Sequence, residues 1–269
     1  MSQENASTLA TEKSLLIEQI VGHTAVISMN NPPANTWTAQ SLQELKQKVL
    51  ALNENKEVYA LVITAEGDKF FSAGADLKLF ADGDKQNAAD MARYFGEAFE
   101  TLSTFHGVSI AAINGYAMGG GLEVALACDL RICEEQAQMA LPEATVGLLP
   151  CAGGTQNLTA LVGEGWAKRM ILCGERINAE KAEKIGLVEE VVVQGNAFNA
   201  AMALAEKVAN QSPSSVKACK QLVQAGRSMP RSQVLPLERE YFANLFDTED
   251  QAEGVSAFLN KRKANWKNG

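Results

Sequence analysis

The chain has 269 residues, 46% of them hydrophobic and 21% charged, with a formal net charge of −8. That is the balance of a soluble globular protein with enough chain for a sizeable core, and its acidic excess argues against a general nucleic-acid binder. Five cysteines without a C-x-x-C pair fit reduced thiols better than a disulfide framework, and two histidines are too few for a histidine-rich metal site.

Residues 1 to 13 are polar and mixed in charge, unlike a secretory or transit leader, and no apolar run approaches the roughly 20 residues of a membrane span. The expected location is the cytoplasm. Ser14 to Val21 and Thr24 to Met29 read as a hairpin around Gly22, followed by the loop Asn30-Asn31-Pro32-Pro33-Ala34-Asn35. Thr38 to Leu52 places Leu42, Leu45, Val49 and Leu52 on one helical face. Tyr59 to Thr64 reads as a strand, Gly67 to Asp76 as a loop, and Ala88 to Phe105 as a helix with Met91, Phe95, Phe99 and Leu102 on its apolar side. Strands at 109–113 and 130–133 flank a helix at 122–128, and Val188 to Val193 reads as a last strand. Helical patterns then run over 197–210, 213–225, 235–246 and 248–263. Alternating strands and helices followed by helices alone predict an α/β core over residues 1–200 and a helical module over 201–269.

Three segments carry candidate chemistry. In Asn114-Gly115-Tyr116-Ala117-Met118-Gly119-Gly120-Gly121-Leu122-Glu123, a strand runs into three glycines that open a helix with a carboxylate in its first turn. Glycines let backbone N–H groups approach a ligand, and a helix N-terminus favours negative charge. The loop Phe70-Phe71-Ser72-Ala73-Gly74-Ala75-Asp76-Leu77 can supply a second N–H to a shared oxyanion hole. The third segment, Met139-Ala140-Leu141-Pro142-Glu143-Ala144-Thr145-Val146-Gly147, sets Glu143 among apolar residues, where a carboxyl tends to hold its proton. Glu123 and Glu143 can then serve as a proton-accepting and a proton-donating pair. Spacing alone does not bring them together, and each segment by itself also fits an ordinary turn or cap.

Other schemes find no support. The chain has no G-x-S-x-G elbow, no G-x-x-x-x-G-K-[ST] loop and no H-E-x-x-H. His23 and His106 read as structural, and Cys151 has no adjacent basic partner to activate it.

Together and in this order, the three segments resemble the crotonase (enoyl-CoA hydratase/isomerase) superfamily, and the likeness runs from the Asn-x-Pro loop to the closing Lys261-Arg262-Lys263-Ala264-Asn265-Trp266-Lys267. The resemblance implies an α/β fold, a spiral of ββα units with a C-terminal helical trimerisation module, assembling as a homotrimer or homohexamer. It implies an enoyl-CoA hydratase, adding water syn across the C2=C3 bond of a trans-2-enoyl-CoA. The amides of Ala75 and Gly120 would hold the thioester oxygen, Glu123 would help deprotonate the water, and Glu143 would protonate C2. Ala73, Ala75, Asp76, Leu77, Lys78 and Gly120 would line the CoA groove, with Phe258 and Lys261 reaching it from a neighbouring subunit. No metal and no separate cofactor is implied, because CoA arrives as part of the substrate, and neither nucleic acid nor membrane is an expected partner. An isomerase or dehydratase on a specialised acyl-CoA is the alternative within the same fold. A non-catalytic RNA binder is a further alternative, disfavoured by the charge balance. The family's hydratase segment runs Pro-Gly-Ala-Gly-Gly-Thr-Gln, whereas this chain has Pro150-Cys151-Ala152-Gly153-Gly154-Thr155-Gln156.

Overall fold

The computed structural model describes residues 14–269; the polar opening stretch lies outside them. The chain begins with an antiparallel hairpin, β1 (Leu16–Val21) and β2 (Thr24–Met29). Helix α1 (Ala39–Glu54) starts where the Thr38 hydroxyl accepts the Ser41 amide and the Ser41 hydroxyl accepts the Thr38 amide, a reciprocal cap.

Three turns of a spiral follow, each made of two strands and a helix. The first is β3 (Ala60–Ala65), β4 (Phe70–Ser72) and α2 (Lys85–Ser103). The second is β5 (Val108–Ile113), β6 (Tyr116–Met118) and α3 (Gly120–Ala127). The third is β7 (Leu130–Glu134), β8 (Gln138–Ala140) and α4 (Gly154–Leu172). Next come β9 (Ile177–Asn178), α5 (Ala179–Lys184), β10 (Glu190–Val192) and α6 (Ala197–Ala209). Three helices close the chain: α7 (Pro213–Ala225), α8 (Arg231–Asn244) and α9 (Glu249–Leu259).

The first strand of each turn joins a six-stranded sheet in the order β1-β2-β3-β5-β7-β10, parallel except for β1. The second strand of each turn joins a four-stranded sheet, β4-β6-β8-β9, in which only β9 runs antiparallel. Strands β2 and β3 are buried along their whole length, so they read as near-continuous apolar runs rather than alternating ones. One face of the large sheet meets α1, α2 and α3 through residues such as Leu42, Leu45, Ile63, Phe99 and Leu122. The other meets α6, where Ala197, Ala201 and Ala205 pack on Val62, Ile110 and Ile132. The division expected at residue 200 therefore falls inside a helix that is packed on the sheet.

The large-sheet strands and α1, α2, α6 and α7 lie where the sequence pattern puts them, to within a few residues. The pattern named neither the four strands of the small sheet nor α4 and α5. Strands β4, β6 and β8 have three residues each, too few to display a period of two. Helix α4 is interrupted by a non-helical Gly163, and only Gly154, Leu158, Ala167 and Met170 are buried along it, so no apolar stripe marks it.

Two charges, one partly and one fully buried, tie the C-terminal helices down. Lys220 of α7 donates to the carbonyls of Phe105 (2.7 Å) and Gly107 (3.0 Å) and to Asp129 (2.7 Å). Asp250, only 1% exposed, accepts the hydroxyls of Ser212 and Ser214 and the amides of Ser214, Lys267 and Asn268. Replacing Lys220 with methionine strips one carboxylate and two carbonyls of their shared donor, so Lys220→Met is expected to lose about 2 kcal/mol in denaturant unfolding. A change within error would show that the lysine does not anchor α7.

Candidate active site

The small sheet sets the site. Strands β4, β6 and β8 are parallel neighbours, with Ser72 opposite Ala117 and Ala117 opposite Met139. Their carboxyl ends therefore release three loops side by side, and each loop is one of the three segments singled out in the sequence. The Gly119 amide donates to the Ala140 carbonyl (3.0 Å), locking the second loop to the third. Crevices at the carboxyl ends of parallel strands are where open α/β sheets commonly bind ligands.

The first loop is stapled from outside by the segment that follows β2. The Ala73 amide donates to the Ala34 carbonyl (2.9 Å), the Trp37 amide to the Gly74 carbonyl (2.8 Å), and the Asp76 amide to the Trp37 carbonyl (3.3 Å). The Ser72 hydroxyl donates to the Asn35 carbonyl (2.7 Å), and the Asn35 side chain donates to the carbonyls of Glu66 and Phe70. Among the described residues, no hydrogen bond takes the Ala75 amide. The Gly120 amide opens α3, where N–H groups lack acceptors within the helix. Gly74 sits at φ +88, and a Cβ built on it would lie 2.7 Å from the Met118 carbonyl oxygen and 3.1 Å from the Gly120 nitrogen. Only glycine lets the two loops close up this far. Gly121 serves the same approach one step on, since its Cβ would fall 2.2 Å from the Ser72 carbonyl oxygen.

Asn35 and Trp37, which the sequence reading did not single out, are not among the residues lining the cavity over these loops; they fix the backbone that carries Ala75.

A cavity of about 200 Å³ opens over these loops. Ala73, Ala75, Leu77, Gly120, Glu123 and Glu143 line it together, with Phe80, Phe95, Met118, Val146, Leu148 and Leu149 making most of the wall apolar. Asp76 does not line it; its carboxylate accepts the Lys78 amide (3.1 Å) and caps the short 3₁₀ turn Leu77–Phe80. Lys78 is exposed on that turn. Phe258, 83% exposed, and Lys261 lie at the end of α9 and are not among the residues lining the cavity. Larger clefts of about 870 and 440 Å³ exist elsewhere, but both have strongly mixed linings and neither brings these loops together.

The two carboxyls differ in environment. Glu123, 2% exposed in the first turn of α3, accepts the amides of Ala152 (2.8 Å) and Gly154 (2.9 Å) on one oxygen. Burial pushes its carboxyl above the usual value, and these two donors pull it back. Glu143 opens the 3₁₀ turn Glu143–Val146, and both its oxygens are buried without a hydrogen-bond partner among the described residues. A Cβ built on Gly119 would lie 3.1 Å from Glu143 Oε1, so this carboxyl sits against the glycine turn. Burial, with the Glu123 charge adding to it, pushes Glu143 up to about 7. The pair is thus split into a carboxyl whose upward push is opposed by two amide donors and one, pushed up to about 7, that has no such donor and keeps its proton near neutrality.

The histidines stand apart, as expected of structural residues. His23 stacks on Tyr59 with ring centroids 4.3 Å apart and bonds to the Glu57 carbonyl. His106 lies beyond the end of α2 at Ser103 rather than in its last turn, bonded to Asn53 and the Val58 carbonyl. No group of three or more His, Cys, Asp or Glu side chains among the described residues is arranged to hold a metal ion. No helix among them is long and apolar enough to cross a membrane.

Residues 19–269 match the model of the enoyl-CoA hydratase/isomerase family. The short-chain-enoyl-CoA hydratase of Clostridium acetobutylicum is 36% identical over 243 residues, covering 90% of this chain and 93% of that protein. The 2,3-dehydroadipyl-CoA hydratase of Escherichia coli is 38% identical over 243 residues, covering 90% and 94%. Among solved structures, DspI of Pseudomonas aeruginosa superposes with a TM-score of 0.93 at 60% identity, over 97% of this chain and 100% of that one. An enoyl-CoA hydratase of Bacillus anthracis superposes with a TM-score of 0.91 at 35% identity, over 95% and 100%.

The raised Glu143 has a thermodynamic signature. Its folded-state value of about 7 exceeds the unfolded one near 4.5, so its contribution to folding is present at acid pH and is lost as pH rises through about 7. Glutamine at 143 stays neutral throughout. The thermal stability of Glu143→Gln relative to wild type should therefore rise between about pH 5 and about pH 8.5. A margin that does not change with pH would mean that Glu143 ionises normally in the fold.

Proposed function

This chain belongs to the enoyl-CoA hydratase/isomerase family, and from that premise we propose that it adds water reversibly across the C2=C3 bond of trans-2-enoyl-CoA thioesters. The observation that carries this reading is the split carboxyl pair, one member clamped by two amides and the other holding its proton, over a loop pair offering two backbone N–H groups.

The thioester oxygen lies between the amides of Ala75 and Gly120. As water attacks C3, electrons move onto that oxygen to give an enolate, which the two N–H groups and the N-terminus of α3 stabilise. Glu123 takes the proton of the attacking water. Glu143 delivers its proton to C2 as the enolate collapses, leaving the 3-hydroxyacyl thioester. One proton has entered Glu123 and one has left Glu143, so a transfer between the buried pair resets the site. Removing one oxyanion donor of this kind commonly costs about 10²–10³ in rate. No separate cofactor takes part, because CoA enters with the substrate.

Ala73, Ala75, Leu77 and Gly120 form the floor of the acyl-CoA site, with Asp76 shaping the turn and Lys78 placed for the CoA phosphates. Phe258 and Lys261 serve the site of a neighbouring copy. The helices after α6 carry exposed Phe242, Phe246, Phe258 and Leu259, which supports burial between copies in a homotrimer or a pair of trimers. The enzyme works in cytoplasmic acyl-CoA metabolism, in fatty-acid β-oxidation or an allied route.

Crotonyl-CoA hydration, followed as loss of the conjugated thioester absorbance, is expected in wild type. Glu123→Gln and Glu143→Gln should each lower kcat by about 10²–10⁴. Turnover should fall as pH rises through about 7, because the proton-bearing form of Glu143 is then lost. Failure to hydrate crotonyl-CoA, with migration of a 3-enoyl double bond instead, would replace the hydratase by an isomerase.

Among the described residues, the wall of the cavity carries no cationic side chain and already holds two carboxyls. An acyl tail ending in a carboxylate has no partner there, and burying it unpaired is costly. 2-Hexenoyl-CoA should therefore exceed 2,3-dehydroadipyl-CoA, a chain of the same length, by about tenfold or more in kcat/KM. Equal values would place the acyl tail outside this cavity.

A further inference from the structure

The loop between β8 and α4 carries one side chain that the reaction above does not use. In the run Pro150-Cys151-Ala152, the flanking residues are buried and Cys151 is exposed, and it lines the cavity that holds both carboxyls. Its position is not free. The next amide, that of Ala152, and the amide of Gly154 both donate to Glu123 Oε1, at 2.8 and 2.9 Å. A Cβ built on Gly154 would lie 2.9 Å from the Pro150 Cβ, so the loop also closes tightly on itself. The thiol is therefore carried by backbone pinned to the very group that handles the water. Partial withdrawal of the thiol itself from water, with the charges of Glu123 and Glu143, pushes it up to about 11, in keeping with a neutral wall beside both carboxyls. A nucleophilic role needs the thiolate and a basic neighbour, and the site provides neither.

We infer that Cys151 is a specificity-determining residue: its side chain fills the space beside the carbon that receives water and so limits what else C3 of the substrate can carry. An unbranched 2-enoyl chain presents only hydrogen at C3 on that side. A methyl branch there must occupy the volume of the thiol. The inference rests on the hydration reading, which fixes where C3 lies.

The test compares crotonyl-CoA with 3-methylcrotonyl-CoA in wild type, Cys151→Gly and Cys151→Ala. One methylene in an apolar pocket is worth about 10–200-fold. The ratio of kcat/KM for the branched to the unbranched substrate should accordingly rise about tenfold or more in Cys151→Gly, with Cys151→Ala between it and wild type. An unchanged ratio in variants that still hydrate crotonyl-CoA overturns the inference and leaves the hydratase standing. Absence of hydration in wild type overturns the hydratase instead. Contact can be read without turnover: butyryl-CoA, which has no double bond to hydrate, should protect Cys151 of the wild-type enzyme from iodoacetamide, scored by peptide mass. Equal labelling with and without butyryl-CoA counts against the thiol lying beside the acyl chain, even should the glycine variant fail to fold.

Discussion

The register of three short parallel strands governs the rest of this molecule. Neighbouring strands in a sheet lie about 4.8 Å apart, so loops leaving β4, β6 and β8 at the same level are spread over about 10 Å. The three loops lean over one cavity from that spacing. The first two loops bring backbone amides, and the second and third bring one carboxyl each. Nothing in the large sheet touches this cavity, yet it decides the outcome: β3, β5 and β7 are buried, parallel and in register, and each hands its turn of the spiral to the small sheet at a fixed height.

Identical side chains behave differently here because of what faces them. Glu123 and Glu143 are both removed from water, which alone would push both carboxyls toward neutrality. The loop 150–154 breaks that symmetry by presenting two N–H groups to Glu123 and none to Glu143. Charge on Glu123 further discourages ionisation of its neighbour. The difference between the two carboxyls therefore comes from backbone donors rather than from the choice of residue.

Much of this was legible in the residues. The apolar periodicity of Leu42, Leu45, Val49 and Leu52 and of Met91, Phe95, Phe99 and Leu102 marks α1 and α2, because helices packed on a sheet need one continuous stripe. Fully buried strands such as Ala60–Ala65 announce themselves by unbroken apolar runs. The loops of the site stand out because Gly74 and Gly121 serve close approaches that no side chain permits. The small sheet itself was not legible, since three residues cannot show a period and its stability comes from pairing across long separations. Nor were Asn35 and Trp37, whose contribution is a set of backbone bonds to a loop some forty residues later. The juxtaposition of Glu123 with Ala152 and Gly154 belongs to the same class, an encounter across about thirty residues that only the third turn of the spiral creates.

The clamp on Glu123 has a mechanical side. A carboxylate accepting two amides is a strong anchor, whereas a protonated carboxyl is a weaker acceptor on the same oxygen. In the proposed reaction, uptake of the water's proton by Glu123 would weaken the acceptor that holds the amides of Ala152 and Gly154, so the protonation of the site and the anchoring of the loop that walls it are coupled through one oxygen.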